Sequence, residues 1–293
     1  MKRKFLWWAF FAALAVSLPV RIYQQLLLVD RNTGFYTDGN VSSVLVTVFL
    51  FAGTAAVIVS GQLTKKQWPD AYTPIACKFT AAFGILAGVM MIVQAIMSMM
   101  RVASSGSRGL SEEEMIAAGA QHPLLYSFLA LVEIAAAIVI VLTAADIARG
   151  KNAFRRYPVA TLVPQLWGCV SLIVMFVKFT EVVNTAENLY DMFFMIFLLL
   201  FFSAQSKLLS GIDEKKNFRL ALEFGLPAVL FGLATSVPDL LAGLAGAVPL
   251  NQFTLTSGLA NLLLSLYVLG YLAALFRSWE KSGKIECKHA ENE

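Results

Sequence analysis

Apolar runs of 20 or more residues, separated by short polar stretches, fill almost the whole chain. They occupy residues 5–29, 41–60, 75–100, 124–148, 159–183, 190–210, 220–240 and 253–276. Each is long enough to cross a hydrocarbon core of about 30 Å as a helix, which takes about 20 residues. None alternates apolar with polar positions over about ten residues, as the strands of a membrane barrel do. In hydrocarbon every backbone N–H and C=O must be bonded within the protein, and a helix does this locally. The pattern therefore predicts an all-α integral membrane protein, a single bundle of about eight transmembrane helices. Residues 1–293 would form one polytopic domain with a short tail at 277–293.

Composition removes the alternative of a water-soluble fold: 58% of the residues are hydrophobic and 14% charged, against about 25% charged in soluble domains. The opening Met1-Lys2-Arg3-Lys4 resembles a signal peptide, but the apolar stretch runs on to Val29 with no polar region at a cleavage site, so a retained first span is expected. The net charge of +4 reflects topology more than an acidic partner. Of 23 basic residues, 17 fall at the chain ends or in the loops on the amino-terminal side of the bundle. Arg31, Arg101 and Arg108 lie in the other loops, and Arg21, Lys78 and Lys178 lie within spans. Cytoplasmic loops carry such an excess. The expectation is a multi-pass protein of the cell membrane (plasma or inner) with both termini cytoplasmic. Trp7, Trp8, Trp68, Tyr157 and Trp279 fall at the inner boundary, where amphipathic rings settle.

Charges within hydrocarbon cost about 3 kcal/mol each on insertion scales and so turn toward a bundle interior or a wet cavity. Counting residues from the span ends places Arg21, Glu133 and Asn261 at similar depths, where they could meet in one layer. Lys178, Glu181 and Asp239 form a shallower outer layer, joined by Gln94, Gln24, Gln25, Thr235 and Ser236. Together these residues are the expected substrate-binding or ion-coupling set of an outward-open polar cavity. The bland alternative is a set of interhelical pairs, with Lys178 and Asp239 snorkelling to headgroups. Glu223 and Lys78, near the inner ends of their spans, are expected to reach cytoplasmic water. The seventh span carries Pro227 and Pro238, each of which removes a backbone donor and should kink it. The apolar stretch 241–250 behind it would lie in the interface or re-enter. Gly84 and Gly88 have the spacing that lets two helix backbones approach closely. Residues 20–24 resemble residues 177–181, but Pro19 and Pro164 break that register, so an internal duplication is not expected.

Catalytic chemistry has little to work with. His122 and His289 are the only histidines, so a histidine metal site or triad is not expected, and there is no phosphate-binding loop. The stretch 30–41 begins like a calcium loop but lacks the carboxylate at its end. Ser111 and Glu114 have capping-box spacing for a short helix to Ala120, and Asn40-Val41-Ser42 fits a glycosylation sequon. Cys77, Cys169 and Cys287 are placed so that no disulfide is expected. The residues at 149–156 could meet anionic lipid, although topology alone accounts for them. The expected function is that of a secondary transporter or permease for a small polar solute, with a proton as a candidate partner. The alternative is a non-transporting sensor or the membrane subunit of a larger complex, with an intramembrane enzyme third. The expected surroundings are the lipid bilayer and a protein partner or second copy, with no nucleic acid, metal or cofactor.

Overall fold

In a computed structural model of the chain, residues 2–28, 41–63, 76–106, 123–181, 186–246 and 252–290 are described. Helix α1 spans Lys2–Tyr23 and runs into a π-helical turn, Gln24–Leu28. Then follow α2 (Val41–Leu63), α3 (Lys78–Gly106), α4 (Pro123–Arg149), two 3-10 turns (Ala153–Arg155 and Pro158–Leu162), α5 (Val163–Glu181), α6 (Ala186–Ser210), α7 (Glu214–Leu244) and α8 (Gln252–Ala290). All eight helices contain a stretch long and apolar enough to cross a membrane, and no strand occurs among the described residues. Residues 30–40 and 111–122, on which the calcium-loop, sequon, capping-box and His122 readings fall, lie outside the described residues.

Two boundaries differ from the hydrophobic pattern. The expected fifth span opens as a 3-10 turn, because Pro158 and Pro164 lack the backbone donors that a continuous α-helix needs there. Helix α7 starts at Glu214 and ends at Leu244, extending beyond 220–240 at both ends. Its first turns carry Glu214, Lys215, Lys216 and Arg219, good helix formers that a hydropathy pattern passes over. Both prolines are accommodated inside this one helix.

Helices consecutive in the chain run antiparallel, α1 and α7 run parallel, with Arg21 beside Ala234 and Gln25 beside Asp239, and α7 is the hub. It packs on α1, α2, α6 and α8, while α8 packs on α3, α3 on α4, α4 on α5 and α5 on α6. Helices α3 to α8 thus close a ring, and α1 and α2 lie against the outside of α7. This division into two and six is unlike two copies of a four-helix unit. A helix apolar on all sides is driven into the centre of a bundle, and 83% of the apolar window of α7 is buried, against 28% in α1. Phe5, Trp8, Phe11 and Leu27 of the first span remain exposed, as lipid-facing residues would. One end of the bundle carries Arg149, Arg155, Arg156, Lys207, Lys215 and Lys216 and is called the basic end below.

Small residues set the closest approaches. Gly84 lies against Ala144 and Tyr267, and Gly88 against Ala137 and Val141, so the glycine pair in α3 brings α4 close, as its spacing predicts. Gly53 of α2 faces Ala13 of α1, and a Cβ on Gly53 would overlap the Ala13 Cβ. Alanine has no rotamer with which to yield, so Gly53→Ala must push α1 and α2 apart. A loss of about 2 kcal/mol is expected, read as an earlier midpoint in SDS titration of the purified protein. An unchanged midpoint would show that the two helices separate freely.

Candidate functional site

The polar cluster farthest from the basic end is built on α1, its π-turn, α2, α6 and α7. Arg21 is 1% exposed, the largest side chain to be fully buried among the described residues. Its Nε donates to the Ala234 carbonyl at 3.3 Å and its Nη1 to Gln24 Oε1 at 3.3 Å. Its guanidinium carbon stands 5.3 Å from the centroid of the Tyr190 ring, within cation–π range. The Ala234 carbonyl is open to this bond for a sequence reason. In a regular helix it would accept from the N–H four residues on, and that residue is Pro238, which has none. The proline expected to kink α7 therefore also supplies the acceptor for the buried cation.

The π-turn extends the cluster. Gln24 and Gln25 are consecutive and both buried, in the kind of widened turn that recurs at functional sites. Gln24 Nε2 donates to Ser42 Oγ at 2.9 Å, tying the turn to the start of α2. Gln25 Nε2 donates to Asp239 Oδ1 at 2.6 Å, tying it to α7 beside Pro238. Thr47 Oγ1 donates to the Ser43 carbonyl at 2.7 Å. Its one proton is thereby engaged, so in the 2.6 Å contact between Thr47 and Tyr190 the phenol is the donor. Two buried hydroxyls nearby, Ser43 Oγ and Ser236 Oγ, have no hydrogen-bond partner among the described residues. Thr235 is buried and only distantly bonded to Gly232, at 3.4 Å.

The structure thus joins Arg21, Gln24, Gln25 and Asp239, and adds Ser42, Thr47 and Tyr190, which the sequence did not mark. It does not assemble the expected layer of Arg21, Glu133 and Asn261. Glu133 lies on α4, which packs on α3 and α5 rather than on α1. It is 3% exposed, and among the described residues it has no hydrogen-bond or ion-pair partner. Gln94 on α3 is half-buried, in the stretch that the α3–α4 register brings level with Glu133. Asn261 is half-buried on α8, and its backbone carbonyl accepts from Ser265 Oγ at 2.8 Å. Lys178 and Glu181 lie in the last turns of α5, with side chains outside the described set.

Glu223 corrects an expectation. It does not reach water but is 1% exposed, with Oε1 3.3 Å from Arg219 Nε and Oε2 accepting from Gln62 Nε2 at 3.0 Å. Arg219, one turn nearer the basic end, meets it within the helix, and Gly61 of α2 leaves it room: a Cβ there would fall on the Glu223 carboxylate. Lys78 is exposed.

Restoring a donor at position 238 tests the proline's role at Arg21. In Pro238→Ala the backbone N–H regained at that position competes for the Ala234 carbonyl. Global stability should change by no more than about 1 kcal/mol, because one bond replaces another, while any property that depends on the Arg21 geometry should shift. Equal behaviour of the variant and wild type in binding or flux would separate Arg21 from the proline. Compared with models of protein families, with curated proteins and with solved structures, the chain has no match.

Proposed function

We propose that the protein is a multi-pass carrier of the cell membrane, both termini cytoplasmic, that moves a small solute bearing an acidic group, with Arg21 as the group that receives it. The observation that carries this reading is the convergence of the π-turn, α6 and α7 on one buried guanidinium of α1, with α2 joined to it through Gln24 and Tyr190. A carboxylate or phosphate can take over the bidentate face of an arginine, and the orphaned hydroxyls Ser43 and Ser236 offer it further bonds. Helix α7 supports a change of access, since Pro238 interrupts its hydrogen-bond ladder beside the cluster. The basic end faces the cytoplasm by the charge bias of the loops. Glu133, separate from Arg21, is the candidate for carrying a coupled proton.

Counterflow in proteoliposomes with radiolabelled amino acids, small carboxylates and inorganic phosphate tests the reading. Saturable uptake of one class should fall at least about tenfold in Arg21→Gln, and Glu133→Gln should remove its response to a pH gradient. No uptake of any of the three classes by folded protein, or uptake indifferent to Arg21→Gln, overturns it. A second reading, a non-transporting sensor or membrane subunit, draws support from the tight enclosure of α7. A stoichiometric partner on purification, with no flux from the isolated chain, would favour it.

A further inference from the structure

At the basic end the fold brings together cations that lie far apart in the chain. The stretch between α4 and α5 is clasped to the end of α6: Asn152 Nδ2 donates to the Leu209 carbonyl at 2.9 Å, and Phe154 is buried against Val139 and Leu209. Asp146 Oδ2 accepts from the Ala153 N–H at 2.8 Å, which ties the stretch back to α4. The Arg155 guanidinium then lies across Gly211, where a Cβ would stand 3.4 Å from its Nε and 3.5 Å from its Nη2. Lys207 precedes Gly211 by one turn and so leaves α6 on the same side. Arg155, Arg156 and Lys207 are all exposed, and none has an ion-pair partner among the described residues. Acids are present but outnumbered. Glu214 Oε1 borders the position over Gly211 at 3.4 Å, and residues 146–157 and 207–216 hold seven basic residues against three acidic ones.

The charge bias that orients a membrane protein accounts for the number of cations at this end, but not for their convergence. Like charges held together by the fold repel one another, and a bound anion offsets that cost. What the anion is attached to follows from the next residues of the chain. Tyr157 is exposed, with the Arg156 guanidinium carbon 5.7 Å from its ring centroid, and such amphipathic rings settle at the membrane boundary. Beyond it Val159, Leu162, Leu166, Ile173 and Phe176 are all exposed. Their spacings of three, four and seven residues set them in one stripe, first along the second 3-10 turn and then along α5. Cations, an aromatic ring and an apolar stripe therefore follow one another in the order of the headgroup, interface and acyl chain of a phospholipid. A free phosphate would use only the first of these. An acidic protein in the cytoplasm would leave the stripe, which runs the length of the span, unused.

We propose that this edge holds an anionic phospholipid, its phosphate on Arg155, Arg156 and Lys207 and an acyl chain along the exposed stripe of α5. Arginine suits the headgroup, since its forked N–H donors match two phosphate oxygens at once. The site lies at the opposite end of the bundle from Arg21, and its test reads lipid binding rather than flux, so the two proposals fail separately. The full chain, delipidated in detergent, is titrated with phosphatidylglycerol, phosphatidylcholine or glycerol phosphate, while thermal unfolding and lipid retained in native mass spectra are followed. Phosphatidylglycerol should raise the melting temperature saturably and stay bound, and phosphatidylcholine and glycerol phosphate should do neither. Arg155→Gln, Arg156→Gln and Lys207→Gln should each weaken phosphatidylglycerol binding about fivefold, and added salt should weaken it further. Arg101→Gln, which removes a cation from the other end, should leave it unchanged. Equal binding of the two lipids, an equal effect of glycerol phosphate, or binding indifferent to the three basic-end variants overturns the proposal. Should a variant fail to fold, the three ligands compared on the wild type still decide.

Discussion

Arg21→Ala is expected to lose about 3 kcal/mol of stability in SDS titration, together with whatever flux the wild type supports. Two effects act in opposite directions. Removing a cation from the bundle relieves the cost of burying charge, which insertion scales put at about 3 kcal/mol. That relief is largely shared by the unfolded chain, in which Arg21 sits at the same depth of its own helix, so it adds little to the difference. The losses belong to the folded state alone. A void opens where the largest fully buried side chain stood, and the Ala234 carbonyl has neither the arginine nor a helical donor, because Pro238 cannot supply one. Gln24 loses its donor as well. Arg21→Met separates the terms: it fills most of the volume without charge or donors, and should recover roughly half the stability but none of the flux. If Arg21→Ala unfolds at the wild-type midpoint, the guanidinium is not held as described.

The second large effect is expected at the basic end. Glu223→Ala leaves Arg219 without its carboxylate and Gln62 without its acceptor. Breaking a buried pair from one side costs about 3 kcal/mol, and because the pair is buried the loss should change little with salt. Glu223→Gln keeps the volume and an acceptor for Gln62, and should lose only about 1 kcal/mol. Gly61→Ala should mimic the larger loss from the opposite helix, since its methyl group takes the space of the carboxylate. The double variant is more informative than either single one. With Glu223 truncated, the new methyl on position 61 enters a void instead of a side chain, so the two losses should fall short of additivity by about 1 kcal/mol or more. Strict additivity would mean that the glycine and the glutamate do not share this space.

Depth along a helix is what the sequence conveys best, and it serves well for single residues. Arg21 lies too far inside its span to snorkel and is buried; Pro238 lies where the ladder of α7 is broken. What a one-dimensional pattern does not carry is azimuth and neighbourhood. Counting from the span ends puts Arg21 and Glu133 at similar depths, yet their helices do not pack together: α1 packs on α2 and α7, and α4 on α3 and α5. Tyr190 escapes a sequence reading because an aromatic at a span end resembles an interfacial anchor, and only the fold turns it toward Arg21. Arg155 and Lys207 are marked by the charge bias but not as neighbours. They lie in different parts of the chain, which only the fold clasps together. Glu223 misleads because distance from the helix end ignores an arginine one turn away and a glycine on the next helix.

The bond from Arg21 to the Ala234 carbonyl joins residues 213 positions apart. At about 5–20 residues per second, a ribosome needs on the order of ten to forty seconds to make the second after the first. A first helix inserted as it is made would hold its cation through that interval, before the seventh helix exists. Premature termination after α6 would strand it there, a product that membrane quality control should clear rapidly.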